Sequence, residues 1–150
     1  MNKIQDKVAE VELAYRPKVK QRTKLTSSED CYKYLLDRCF DEATINHHEE
    51  FKCIFLGNSL QVLGWSTISK GGLNETLVDV RVVLQYALLM NASLIVCGHN
   101  HPSGSVRPSK DDDRLTERVK KAGEVMSIRL LDHVVVADGA YYSYNDEGRI

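Results

Sequence analysis

The sequence predicts one domain in the α/β to α+β range, a mixed β-sheet flanked by helices. Three observations carry this expectation. Short runs rich in aromatic and β-branched residues alternate irregularly with amphipathic helical patterns, two pairs of such runs are joined by hairpin turn signals, and 150 residues suit a single ordinary domain. The apolar fraction of 43% and charged fraction of 27% are those of a globular chain and exclude a disordered one. No apolar run approaches the roughly 20 residues that span a bilayer, so no membrane partner is expected. The first residues, Met-Asn-Lys-Ile-Gln-Asp-Lys, contain no apolar signal core, and the cytoplasm is the expected location. A net charge of -1 and a pI near 6.5 do not supply the surface of a dedicated nucleic-acid binder.

Val8 to Tyr15 alternates apolar and acidic residues, which predicts a half-buried strand. From Arg16 to Lys24 a cation falls on every second residue, as in an exposed edge or linker; a phosphate-tracking arm is the other reading. Thr26-Ser-Ser-Glu29 has capping-box spacing and opens a helix through Tyr32, Leu35, Leu36 and Cys39. A polar linker from Asp41 to Glu50, with His47 and His48 expected in solvent, leads to a buried strand over Phe51 to Leu56. Gly57-Asn-Ser59 is turn material, and Leu60 to Ser69 returns as the second strand of a hairpin closed by Lys70-Gly-Gly72. Asp79 caps a helix with Val80, Val83, Leu84, Ala87 and Leu88 on its apolar face. After Asn91, a strand over Ser93 to Cys97 precedes a helix from Ser109 to Met126, with Leu115, Val119, Ala122 and Met126 as its buried stripe. Ile128 to Val136 and Tyr141 to Tyr144 are strands about the Asp138-Gly139 turn. The four cysteines, Cys31, Cys39, Cys53 and Cys97, include no C-x-x-C pair and read as buried free thiols.

The stretch from Gly98 to Asp112 carries the chemistry. In extended backbone, residues i and i+2 point the same way, so His99 and His101 can aim at one point while Asn100 faces away. Imidazole and carboxylate suit zinc, and a catalytic zinc takes three protein ligands and a water; Asp112 is the candidate third ligand. Pro102, Gly104 and Pro108 shape the intervening loop. Ser109 and Asp112 also have the S-x-x-D spacing of a helix cap, and the two roles are compatible. A jelly roll would continue into strands rather than a helix, and a (β/α)8 barrel needs roughly 250 residues.

His99-Asn-His101-Pro102 followed by Ser109-Lys-Asp-Asp112 resembles the H-x-H-P…S-x-x-D signature of the JAMM/MPN (JAB domain) zinc metalloproteases. The fuller string H-N-H-P-S-G…P-S, with Leu131-Asp-His133 and the Tyr-rich end, resembles their RadC-like branch, and the similarity runs from about Val8 to Ile150. The resemblance implies a JAMM/MPN-like domain over 25–150, with a cytidine-deaminase-like arrangement of sheet and helices, after an N-terminal strand and basic edge over 1–24. It implies that His99, His101 and Asp112 hold one Zn2+, that Ser109 hydrogen-bonds the oxyanion or the zinc-bound water, and that a glutamate at the start of an earlier strand is the general base. Glu49 and Glu50 both precede Phe51, and strand parity lets only one face the zinc. The RadC-like pattern, an acid two residues before the aromatic, points to Glu49. His133 matches a family position expected to support packing or outer hydrogen bonds. Val80 and Val82 flank Arg81 where RadC-like chains usually have Pro and Glu, a departure expected to affect packing or a partner surface. Full-length RadC proteins also carry an N-terminal helix-hairpin-helix region, for which this chain has no room. The function implied is a zinc-dependent metallopeptidase or isopeptidase-like hydrolase acting on a peptide or protein. The alternative is a zinc-stabilised, non-catalytic module in DNA repair or conjugative DNA transfer, with the basic stretch as its DNA contact.

Overall fold

The computed structural model describes residues 11–12, 14–16, 21–71 and 77–150. Its elements are α1 (Ser28–Tyr34), continued by a π-helical turn (Leu35–Cys39), β1 (Glu50–Leu56), β2 (Val62–Lys70), α2 (Val80–Leu89), β3 (Leu94–Asn100), α3 (Lys110–Val125), β4 (Arg129–Ala137) and β5 (Ala140–Ser143). The strands form one mixed sheet in the order β2-β1-β3-β4-β5. Among the described strands only β3 and β4 run parallel, because α3 carries the chain back between them, whereas tight turns make β1–β2 and β4–β5 antiparallel.

Helices cover both faces, so the central strands are buried on both sides and read as continuous apolar runs. Strand parity divides β1 between two cores: Ile54 and Leu56 pack under α1 with Leu25 and Leu35, while Phe51, Cys53 and Phe55 pack under α2 with Val83 and Ala87. β3 alternates likewise, Leu94 and Val96 against Ile95 and Cys97. All four cysteines are free and buried, and burial pushes the Cys31 and Cys39 thiols up to about 12, which makes them inert. Gly98 faces the α1 layer at close quarters. A Cβ there would lie 2.6 Å from Leu35 Cδ1, so any larger residue would force the buried Leu35 side chain of the π-helical turn to shift. Gly139, at φ +70°, closes the β4–β5 turn.

Several expectations need correction. Of the strand read over Val8 to Tyr15, residues 8–10 and 13 lie outside the described residues; Val11, Glu12, Ala14 and Tyr15 adopt no strand, and Val11 is exposed. Tyr15 instead ties down by its hydroxyl, which donates to the Leu63 carbonyl at 2.6 Å. Residues 17–20 of the basic stretch and Gly72 are also outside the described residues. The α1 cap is Ser27, one residue later than expected: its Oγ accepts from Asp30 N, and Asp30 reaches back to Thr26, leaving Glu29 to pair with Lys33. Leu60 belongs to the turn at φ 64° rather than to β2. Leu88 and Met126 keep the helical period but are 48% and 44% exposed, since among the described residues neither meets a further layer. Thr116 and Gly123 are the unexpected buried positions of α3.

Candidate metal centre

The centre lies where β1 begins, β3 ends and α3 starts. The β1–β3 register pairs Phe51 with His99 and puts their side chains on the α2/α3 face of the sheet. Glu49, two residues before Phe51, projects to that face, and Glu50 projects to the other. β3 runs on to Asn100, three residues past its expected end, so His99 and the following His101 sit on extended backbone with their ring nitrogens Nε2 only 2.9 Å apart. Glu49 Oε1 lies 3.6 Å from His101 Nε2, and one ligand atom each from Glu49, His99 and His101 fall within 4.8 Å of one another.

Asp112 closes the fourth side, with Oδ1 at 3.3 Å from His99 Nε2 and Oδ2 at 3.3 Å from His101 Nε2. It caps α3 at the same time. Ser109 Oγ accepts from Asp112 N at 3.0 Å and Asp112 Oδ2 accepts from Ser109 N at 2.7 Å, a complete capping box. Cap and site contact are thus two uses of one carboxylate. That bond uses an oxygen lone pair of Ser109 and leaves its hydroxyl proton to donate into the cleft, which Leu77, Val78, Pro102, Arg107, Leu115 and Arg118 flank.

The donor set suits a cation. His101 Nδ1 is 2.7 Å from the Ser105 carbonyl, which can only accept, so the proton of a neutral His101 sits on Nδ1 and Nε2 presents a bare lone pair. That nitrogen and the carboxylates of Asp112 and Glu49 converge as acceptors. Burial disfavours the charge on His101, but the Asp112 carboxylate and Ser105 carbonyl outweigh it and raise its pKa. Burial opposes ionisation of Asp112 too, yet His101 and the Ser109 backbone N–H hold its carboxyl far below the usual range. Behind His99, Nδ1 is 2.7 Å from Nε2 of His133, a fully buried ring whose pKa burial pushes well down.

Sequence reasoning gave Asn100 no role beyond facing away, and it proves to anchor the backbone on both sides of Glu49. Its Oδ1 accepts from Glu50 N at 2.7 Å, and its Nδ2 donates to the Ile45 and His48 carbonyls at 2.6 and 2.8 Å. Glu50 itself turns away from the centre to Lys52 (2.9 Å), Lys70 (3.3 Å) and His48 (3.3 Å), so His48 is not the solvated residue expected. Asn100→Ala strands these buried backbone groups and should cost about 1–3 kcal/mol. Urea unfolding checks this; a loss under about 0.5 kcal/mol would mean that the linker is held by other contacts.

The family model described as "RadC-like JAB domain" matches residues 25–149. The chain belongs to this family. Among relatives of this RadC-like JAB domain, a UPF0758 protein of Flavobacterium johnsoniae is 39% identical over 144 residues, 94% of this chain and 61% of that protein. One of Thermotoga maritima is 39% identical over 127 residues, covering 85% and 55%, and one of Porphyromonas gingivalis is 45% identical over 101 residues, covering 67% and 44%. The chain thus spans roughly half the length of these relatives. Among the described residues, no helix is long and apolar enough to cross a membrane.

Proposed function

We propose that this RadC-like JAB domain is a zinc-dependent hydrolase of peptide or isopeptide bonds. The observation that carries the reading is the convergence of His99, His101, Asp112 and Glu49 on one point in an open cleft. His99, His101 and Asp112 would hold the metal, and zinc so held supplies a Lewis acid that lowers the pKa of a bound water to about 7. Glu49 takes the proton of the attacking water and passes it to the leaving amine. Its side chain is 12% exposed and its Oε1 stands 3.6 Å from His101 Nε2, within reach of a water at the centre. Ser109 donates a hydrogen bond from its hydroxyl to the oxyanion that develops on the scissile carbonyl. Arg107 and Arg118 border the same cleft and orient the polypeptide substrate.

Native mass spectrometry tests the metal assignment. The wild type should carry one zinc, and Asp112→Ala should weaken retention by more than the roughly 10–100-fold that loss of an outer hydrogen-bond partner costs. Retention should also fall on acidification, because the raised pKa of His101 lets a proton compete from a higher pH than an ordinary histidine would allow. A folded wild type that takes up no zinc at neutral pH sinks the hydrolase reading and favours a binding module. Zinc kept by Asp112→Ala but lost from Glu49→Gln would exchange the two carboxylates' roles.

A further inference from the structure

We propose that Thr116 and His133 act as positioning residues that fix His99 as its Nδ1–H tautomer and so leave Nε2 bare toward the metal centre. The role in metal capture rests on the reading of His99 as a ligand; the tautomer itself does not.

The proton positions follow from one contact that permits a single donor. Thr116 Oγ1 is 2.7 Å from the Asp112 carbonyl oxygen, one turn back on α3. A carbonyl has no proton, so the hydroxyl donates to it, and a hydroxyl has one proton to give. Thr116 Oγ1 must therefore accept in its second contact, from His133 Nδ1 at 2.6 Å. His133 has no solvent exposure, stacks on the Tyr144 ring with centroids 5.0 Å apart and meets the edge of Phe51. Its two ring nitrogens contact Thr116 and His99 and no carboxylate, and full burial disfavours an imidazolium there, so the ring is neutral. With its one proton on Nδ1, Nε2 accepts from His99 Nδ1 at 2.7 Å. His99 then has no proton on Nε2, the nitrogen that faces His101 and Asp112.

Metal-binding histidines commonly give their second N–H to a carboxylate, carbonyl or water. Here that hydrogen bond passes through a second imidazole and a hydroxyl and ends on the backbone of Asp112. The relay thus joins the end of β3 to the start of α3 through β4, so that the ring and the carboxylate beside it are set by one chain of hydrogen bonds. It also accounts for two polar residues in apolar surroundings, Thr116 on the buried stripe of α3 and His133 in the Val-rich β4.

Long-range 1H–15N correlation spectra of the metal-free protein, labelled at histidine, read the tautomers directly. Wild type should show His99 and His133 each protonated at Nδ1 alone. Thr116→Val keeps the shape and removes the acceptor; it should release both rings to mixed tautomers and weaken zinc binding, measured by chelator competition, by roughly 10–100-fold. Thr116→Ser should restore both readouts. A wild-type His99 protonated on Nε2 overturns the proposal without any variant, as does a Thr116→Val protein with unchanged tautomers. A wild type with the expected tautomers that binds no zinc upholds the relay and overturns the hydrolase reading instead.

Discussion

Glu49→Gln should leave one zinc per chain and lower turnover by about 10²–10⁴-fold, the range that a positioned general base contributes. Glutamine matches glutamate in shape and can still hydrogen-bond beside His101, but it cannot take a proton from water. Because Asp112 and both histidines remain, the metal content should not move. The measurement is kcat on any peptide that the wild type cleaves, with zinc content determined on the same sample. A variant that turns over at the wild-type rate would remove Glu49 from the reaction.

The neighbouring glutamate should fail in the opposite way. Glu50 and Lys52 side chains are each 5% exposed, their charges 2.9 Å apart, with Lys52 Nζ also donating to Thr67 and lying 5.4 Å from the Phe40 ring centroid. Glu50→Ala leaves the Lys52 ammonium buried without its counter-ion and should cost about 3–5 kcal/mol in urea unfolding. Against a typical domain stability of about 5–15 kcal/mol, that is enough to threaten folding near body temperature. The pH dependence has a definite sign. Burial disfavours the Glu50 carboxylate, but Lys52, His48 and Lys70 overcome this and lower its pKa. A depressed pKa gives stability that is present above the unfolded value, about 4.3, and lost as pH falls through the folded value. The gap between wild type and variant should therefore close in acid. A loss under about 1 kcal/mol at neutral pH would mean that water compensates Lys52.

These two residues also show what a sequence can and cannot disclose. That Glu49 and Glu50 face opposite ways follows from β-strand geometry alone. Which of them faces the histidines depends on the pairing of Phe51 with His99, a contact between segments 48 residues apart. The histidine loop was legible because all its signals are local: an apolar run ending in H-x-H, turn-forming prolines and glycine, and a helix cap. The cap and site readings of Asp112 did not compete, since one short segment both caps α3 and brings the carboxylate to 3.3 Å from His99. Thr116 and His133 were not legible as partners, because only the packing of α3 on β4 brings them together; a polar residue within each apolar pattern was the one available sign. Leu88 and Met126 mark the converse failure, where helical periodicity assigns a face to the core but says nothing of where the layers stop.

The last three residues of β3 assign different duties to successive positions. Gly98 admits Leu35 from one layer, His99 serves the opposite face, and Asn100 returns to the first layer to hold the linker. A point substitution disables one duty at a time. Adding or removing a single residue in this strand shifts the reading frame of the pleat, sending an imidazole toward the linker and an amide toward the metal position. A change of length in the strand therefore disturbs every duty at once, whereas one in an exposed surface loop is absorbed locally.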